Sequence, residues 1–170
     1  MMRRFSRRRD GSLDVTLEPA ELELVRDLPA QLRALYDGAS DDPARERLFP
    51  RAYLDPTEEQ AEQEWQELVH PGLLAGRLDA LTRLAATLEG AQPARRDRVV
   101  VHLEPDDVNA WLSVLNDARL ALGARLGVTD EVDLGEVGPD DPNAAVIAAY
   151  TWLTYLEGEL VETLLGDVPK

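Results

Sequence analysis

Residues 99–126 read VVVHLEPDDVNAWLSVLNDARLALGARL, and this stretch decides the fold. It opens on three β-branched residues, Val99-Val100-Val101, which favour a strand over residues 98–103. Glu104-Pro105 then ends the extended run and begins a helix, because proline's fixed φ suits a first helical turn. From there Val108, Trp111, Leu115, Ala118, Leu122 and Leu126 keep helical spacing, widened by Leu112 and Val114, until Gly127 stops the helix. The same order recurs upstream in Val15-Thr16-Leu17-Glu18-Pro19. Residues 12–17 there alternate Leu13, Val15 and Leu17 with polar side chains, the period of a half-buried strand. A lone strand leaves its backbone groups unpaired. The sequence therefore predicts one two-stranded sheet joining 12–17 to 98–103.

Working outward, Leu22, Val25, Leu28, Leu32 and Leu35 mark a first helix from Pro19 to about Tyr36, kinked or broken at Pro29. Residues 37–55 read as a loop anchored by Leu48-Phe49-Pro50 and Tyr53-Leu54. Asp55-Pro56-Thr57 starts a second helix, which Pro71-Gly72 ends near Val69; a third runs from Leu73 to Glu89 before Gly90. A fifth follows Asp141-Pro142 and ends at Leu165. Its apolar residues wrap most of the way round, which predicts a central helix packed on the fourth. The expectation is mainly α: about five helices forming a bundle-like single domain over 11–170, one small two-stranded β-sheet, and a basic, flexible tail at 1–10.

The chain has 170 residues, 18 Lys+Arg against 33 Asp+Glu, and a net charge of −15. Five arginines (Arg3, Arg4, Arg7, Arg8, Arg9) and one acid lie within residues 1–10, so the remainder holds 13 bases and 32 acids. Such an acidic body repels nucleic-acid phosphates and anionic membrane and favours basic partners. The arginines form a candidate nucleic-acid arm, but one aromatic among them, Phe5, is no stacking platform. There is no cysteine, which excludes disulfides, thiolate metal sites and a cysteine nucleophile within this chain. Asp10-Gly11-Ser12 follows the basic segment where an export signal needs an apolar run, and no apolar stretch is long enough to span a membrane. A cytoplasmic location is expected.

Catalytic signatures are missing: no GxSxG, GxGxxG, P-loop or HExxH occurs. The histidines are His70 and His102. Glu67-Leu68-Val69-His70 has the E-x-x-H spacing of di-metal carboxylate bundles, but the second E-x-x-H that such a centre needs is absent. No metal, cofactor or catalytic residue is assigned. Glu58, Glu59, Glu62, Glu64 and Glu67 read as a solvated acidic face. Trp65, Trp111 and Trp152 are candidate interface aromatics, Trp65 being expected in the core. Asn109, Asn116, Asp117 and Arg119 interrupt the apolar fourth helix, and i, i+2 positions such as Asp117 and Arg119 diverge. They read first as a structural polar network bonded to loops or neighbouring elements, alternatively as a partner-binding, small-molecule or metal site.

Asn109-Ala110-Trp111, Asn116 through Gly123 (NDARLALG), and Tyr150-Thr151-Trp152-Leu153-Thr154 resemble the C-terminal signature of an actinobacterial domain-of-unknown-function family, also called AosR-like after an oxidative-stress regulator. Arg3-Arg4-Phe5, Leu17-Glu18-Pro19 and Leu48-Phe49-Pro50 with Tyr53 match more loosely. The resemblance implies a non-enzymatic cytoplasmic protein, encoded in members near an adaptor of the Clp protease and cysteine-synthesis genes, regulating oxidative-stress transcription through protein partners such as a sigma factor. Without cysteine, any such role here is independent of thiol redox sensing.

Overall fold

A computed structural model of the chain describes residues 3–38, 41–128 and 138–166. The elements run β1 (Phe5–Arg7), β2 (Leu13–Leu17), α1 (Pro19–Tyr36), α2 (Pro43–Leu48), a 3₁₀ turn (Pro56–Glu58), α3 (Glu59–Glu89), β3 (Gln92–Pro93), β4 (Val99–Leu103), α4 (Pro105–Leu126) and α5 (Ala144–Leu165). The Leu-Glu-Pro echo is a repeated helix start. At both sites the glutamate forms a capping box, Glu18 with Glu21 and Glu104 with Asp107, and proline follows in the first turn.

The expected strand pair exists. β2 and β4 run antiparallel in register from Leu13↔Leu103 to Leu17↔Val99. The sheet, however, has four strands in the order β1-β2-β4-β3. β3 joins β4 through a tight turn in which Ala94 N–H donates to Arg98 O, with Arg96 and Asp97 at φ 62° and 58°. Neither residue is the glycine or asparagine that advertises such a turn. β1 falls inside the expected tail. Phe5 drives it, being 2% exposed in the core, while Arg4 and Phe5 N–H both donate to Glu159 Oε1 on α5.

Four helical expectations are modified. α1 runs unbroken through Pro29, and the two helices expected on either side of Pro71-Gly72 are one helix of 31 residues. A proline removes one i→i−4 bond, and Glu67, whose carbonyl loses its partner, is exposed to water together with Pro71. The 37–55 loop contains α2, capped by Asp42, whose side chain accepts from Ala44 N–H. The central helix is α4, not α5. It packs against α2, α3 and α5 and buries Val108, Trp111, Val114, Leu115 and Ala118 among others, whereas α5 buries only Leu153, Leu156, Glu159 and Leu160. Gly127, at φ 65°, ends α4 in the left-handed conformation that glycine adopts without strain. One cluster of buried apolar side chains extends from Phe5 to Leu160. Among the described residues no helix is long and apolar enough to cross a membrane.

Candidate functional site

The polar residues of α4 divide into two bonded groups. Asp117 is buried, its side chain 3% exposed. It accepts from Tyr36 Oη of α1 at 2.7 Å and is ion-paired with Arg77 of α3. Arg77 Nη2 also donates to the Leu48 carbonyl at 2.9 Å, so one guanidinium ties α2, α3 and α4 together. Phe49 packs beneath, with the Arg77 and Arg45 guanidiniums 5.0 and 5.5 Å from its ring centre and the Tyr36 ring edge-on. Burial, then the bond to the Asp117 carboxylate, pushes the Tyr36 phenol far above its ordinary pKa. Tyr36 is therefore a neutral donor at any physiological pH.

Asn116 and Arg119 form the second group. Arg119 Nε donates to Glu157 of α5 at 2.7 Å and Nη2 to Asn116 Oδ1 at 3.1 Å. Asp117 and Arg119 point to different helices, as their i, i+2 spacing requires. Asn109 joins neither group. It is exposed and lines a shallow cleft between α3 and α4 with Gly76, Asp79, Arg83 and Ser113.

The three tryptophans occupy different settings. Trp111 is fully buried, and its Nε1 donates to Thr87 Oγ1 at 3.0 Å, which makes it a core residue. Trp65 is half-buried on α3. Trp152 is half-buried and donates to Glu21 Oε1 at 3.1 Å, where Arg4 also donates through Nε and Nη2. Glu21 thus ties the residue preceding β1 to α1 and α5. Burial opposes its ionisation, but its bonds from Glu18 N–H, Arg4 and Trp152 prevail and lower its pKa.

Of the N-terminal arginines, Arg4 and Arg8 are committed to acids within the fold: Arg4 to Glu21, and Arg8 to Asp14 at 2.8 Å. Arg3, Arg7 and Arg9 are exposed, the first two beside a cleft between β1 and the end of α5. On the outer sheet face His102 lies between Asp14 at 2.9 Å and Glu104 at 3.1 Å, continuing the ladder from Arg8. The bond to Asp14, then that to Glu104, raises the His102 pKa.

The E-x-x-H pair is not assembled into a centre. His70 stacks on Phe49 with ring centres 4.9 Å apart, while Glu67 is exposed. No group of three or more His, Asp or Glu side chains among the described residues is placed to hold a metal. Of the expected acidic face, Glu62 departs: it is 3% exposed and accepts from Ala52 and Tyr53 N–H and the Gln66 amide. Sequence reasoning passes over Tyr36, Arg77, Glu21, Glu157 and Glu159. Only Glu21 carries a local signal, the Glu three residues after Glu18 in a capping box.

A family described as Domain of unknown function (DUF2017) matches residues 2–164 of the chain. The chain is also 31% identical over 138 residues to proteins named Oxidative stress regulator AosR from Mycobacterium bovis and from Mycobacterium tuberculosis strain H37Rv. That match covers 74% of this chain and 60% of each relative, so the chain spans less than two thirds of the relatives' length. No solved structure matches. With the match running from β1 to the last turns of α5, the chain belongs to the AosR-like family of domains of unknown function.

Proposed function

We propose that this protein is a non-enzymatic regulatory module of the cytoplasm that acts by binding a protein partner and uses no cysteine chemistry. The observation that carries the reading is the 31% identity to proteins named as oxidative-stress regulators. The polar chemistry of α4 supports it: Asp117 is bonded to Tyr36 and Arg77, and Arg119 to Glu157 and Asn116. That internal pairing weighs against the alternative of a small-molecule or metal site on this face, because polar groups already engaged within the fold offer a ligand less. A sigma factor is the partner class the family resemblance suggests. The acidic composition favours a basic protein surface over DNA.

Affinity capture of the tagged full chain from its native cells, with and without oxidant, tests the reading. A reproducible protein partner is expected in both conditions, since no thiol gates the contact. Recovery of no reproducible partner overturns it. A thermal-shift screen across metals and metabolites tests the alternative, which requires a stabilised melting temperature with at least one of them.

A further inference from the structure

We propose that the outer edge of β1 docks an extended acidic segment of a partner protein, which adds to the four-stranded sheet as a further strand. Toward β2, β1 bonds through Arg4, Ser6 and Arg8: Thr16 N–H donates to Arg4 O, Ser6 lies opposite Asp14, and Arg8 N–H donates to Ser12 O. The backbone groups of Phe5 and Arg7, between them, therefore face the other way. Glu159 takes the Phe5 amide and so caps the start of that edge. Among the described residues nothing outside the sheet bonds the Phe5 carbonyl or the amide and carbonyl of Arg7. These three ladder groups are free to pair, and an open strand edge is a ready template for an added strand. A cleft of about 760 Å³ runs beside it, between β1 and the last turns of α5, with Glu162, Thr163 and the 65% exposed Leu165 on the helix side.

Charge identifies the occupant. Side chains alternate along a strand, so Arg3 and Arg7 share the face of Phe5 and flank it. Both arginines line the cleft, both are exposed, and neither is paired to an acid among the described residues. Arg7 Nη1 lies 3.6 Å from where a Cβ on Gly166 would sit, so it is held at the end of α5. In a chain of net charge −15, this cleft sets two guanidiniums against one carboxylate, Glu162. A basic segment, which the body as a whole attracts, meets like charge at both ends here. Every pairing in the sheet is antiparallel. An added strand of the same sense sets one carboxylate opposite Arg7 and another, four residues on, opposite Arg3. The residue midway lies opposite Phe5, on the side of α5 and its Glu162, and is apolar. The segment thus reads acid-x-apolar-x-acid. A phosphate backbone also carries negative charge, but it has no regular donors for the carbonyls of Phe5 and Arg7, which decides for a peptide. The proposal gives a surface to the partner-binding module described above, and rests on that reading for the existence of a natural partner.

Fluorescence anisotropy of a labelled peptide, Thr-Glu-Thr-Val-Thr-Glu-Thr, titrated with the full chain tests this. Saturable binding is expected. It should be lost when both glutamates are lysine, and also when the central valine is proline, which keeps the charges and removes a ladder donor. Arg3→Glu/Arg7→Glu should bind the acidic peptide at least roughly 10-fold more weakly, the worth of one hydrogen bond to a charged group. The same variant should bind the lysine peptide more tightly than wild type does, an exchange that also shows it to be folded. No binding of the acidic peptide to wild type overturns the proposal, as does equal binding of the proline peptide or acidic binding that survives the charge reversal. Tighter binding of a single-stranded oligonucleotide of equal charge assigns the cleft to nucleic acid instead. Binding that appears only when the chain is ended at Gly166 assigns it to residues 167–170 of this chain. The probe is synthetic, so the cleft stands or falls on the peptide and the regulatory reading on the captured partner.

Discussion

Replacing Arg77 by methionine keeps the aliphatic stem and removes the guanidinium that pairs with Asp117 and bonds the Leu48 carbonyl. Asp117 then retains only the Tyr36 hydroxyl, in a setting where its side chain is 3% exposed. Stranding one member of a buried pair costs about 3–5 kcal/mol. The lower end applies, since Tyr36 still donates and the carboxylate can take up a proton, so the expected loss is about 3 kcal/mol. The converse change, Asp117→Leu, strands Arg77, whose side chain is 23% exposed and within reach of water. It should cost less, about 2 kcal/mol. Because an apolar pair needs no desolvation, Arg77→Met/Asp117→Leu should be more stable than Arg77→Met alone. Urea unfolding followed by circular dichroism and tryptophan fluorescence measures all three, and about 3 kcal/mol corresponds to a fall of roughly 6–12 °C in melting temperature. A double variant as unstable as the sum of the singles, or Asp117→Leu worse than Arg77→Met, refutes the account of Asp117 as a carboxylate made tolerable by Arg77.

Other outcomes follow from single features. Phe5→Ala should lower stability by about 3–4 kcal/mol in the same assay, as for any buried core phenylalanine; a loss under about 1 kcal/mol, the surface norm, would return residues 1–10 to the status of a tail. Gly76→Ala should stabilise by about 1 kcal/mol, because the position is helical and open, whereas Gly127→Ala at φ 65° should destabilise by about 1 kcal/mol; equal signs in thermal melts contradict these backbone assignments. The His102 contribution has a definite sign. Its folded pKa is raised, so its stabilisation is complete below the unfolded value of about 6.5 and disappears as pH rises through the folded value. At 41% side-chain exposure the effect is a fraction of a kcal/mol, and NMR titration of the ring should report a midpoint above about 6.5 that falls in Asp14→Asn.

The sequence announces the elements whose cues are local. Glu18-Pro19 and Glu104-Pro105 mark helix starts because capping is settled within one turn, and the alternation of Leu13, Val15 and Leu17 marks a strand because one face is buried. What stays illegible depends on partners distant in the chain. A three-residue strand among arginines exists only because Phe5 has a core to enter and Glu159 caps its edge. Pro71-Gly72 looks like a stop by composition, and only the solvent exposure of that turn permits α3 to continue. The polar residues of α4 are conspicuous within an apolar helix, but their mates Tyr36, Arg77 and Glu157 look ordinary in their own segments. The uncharged residues of α5 read as a sign of centrality; in the fold they flank a solvent-facing side.

Two of the bonds that complete the sheet edge bear on how the chain matures. Arg4 N–H meets the Glu159 carboxylate across 155 residues, and Asp14 meets His102 across 88. Ribosomal synthesis at about 5–20 residues per second puts roughly 8–30 s between the emergence of β1 and that of the glutamate that closes its edge. During that interval β2 has no partner in β4 for much of the time, and the leading strand waits with open amides. Loop closure over such distances precedes any gain from pairing, so α1 and α3 should consolidate first and the sheet last. A nascent chain arrested before β4 is accordingly the species most open to strand-mediated aggregation, and one arrested before α5 still leaves the amides of Arg4 and Phe5 without the Glu159 carboxylate.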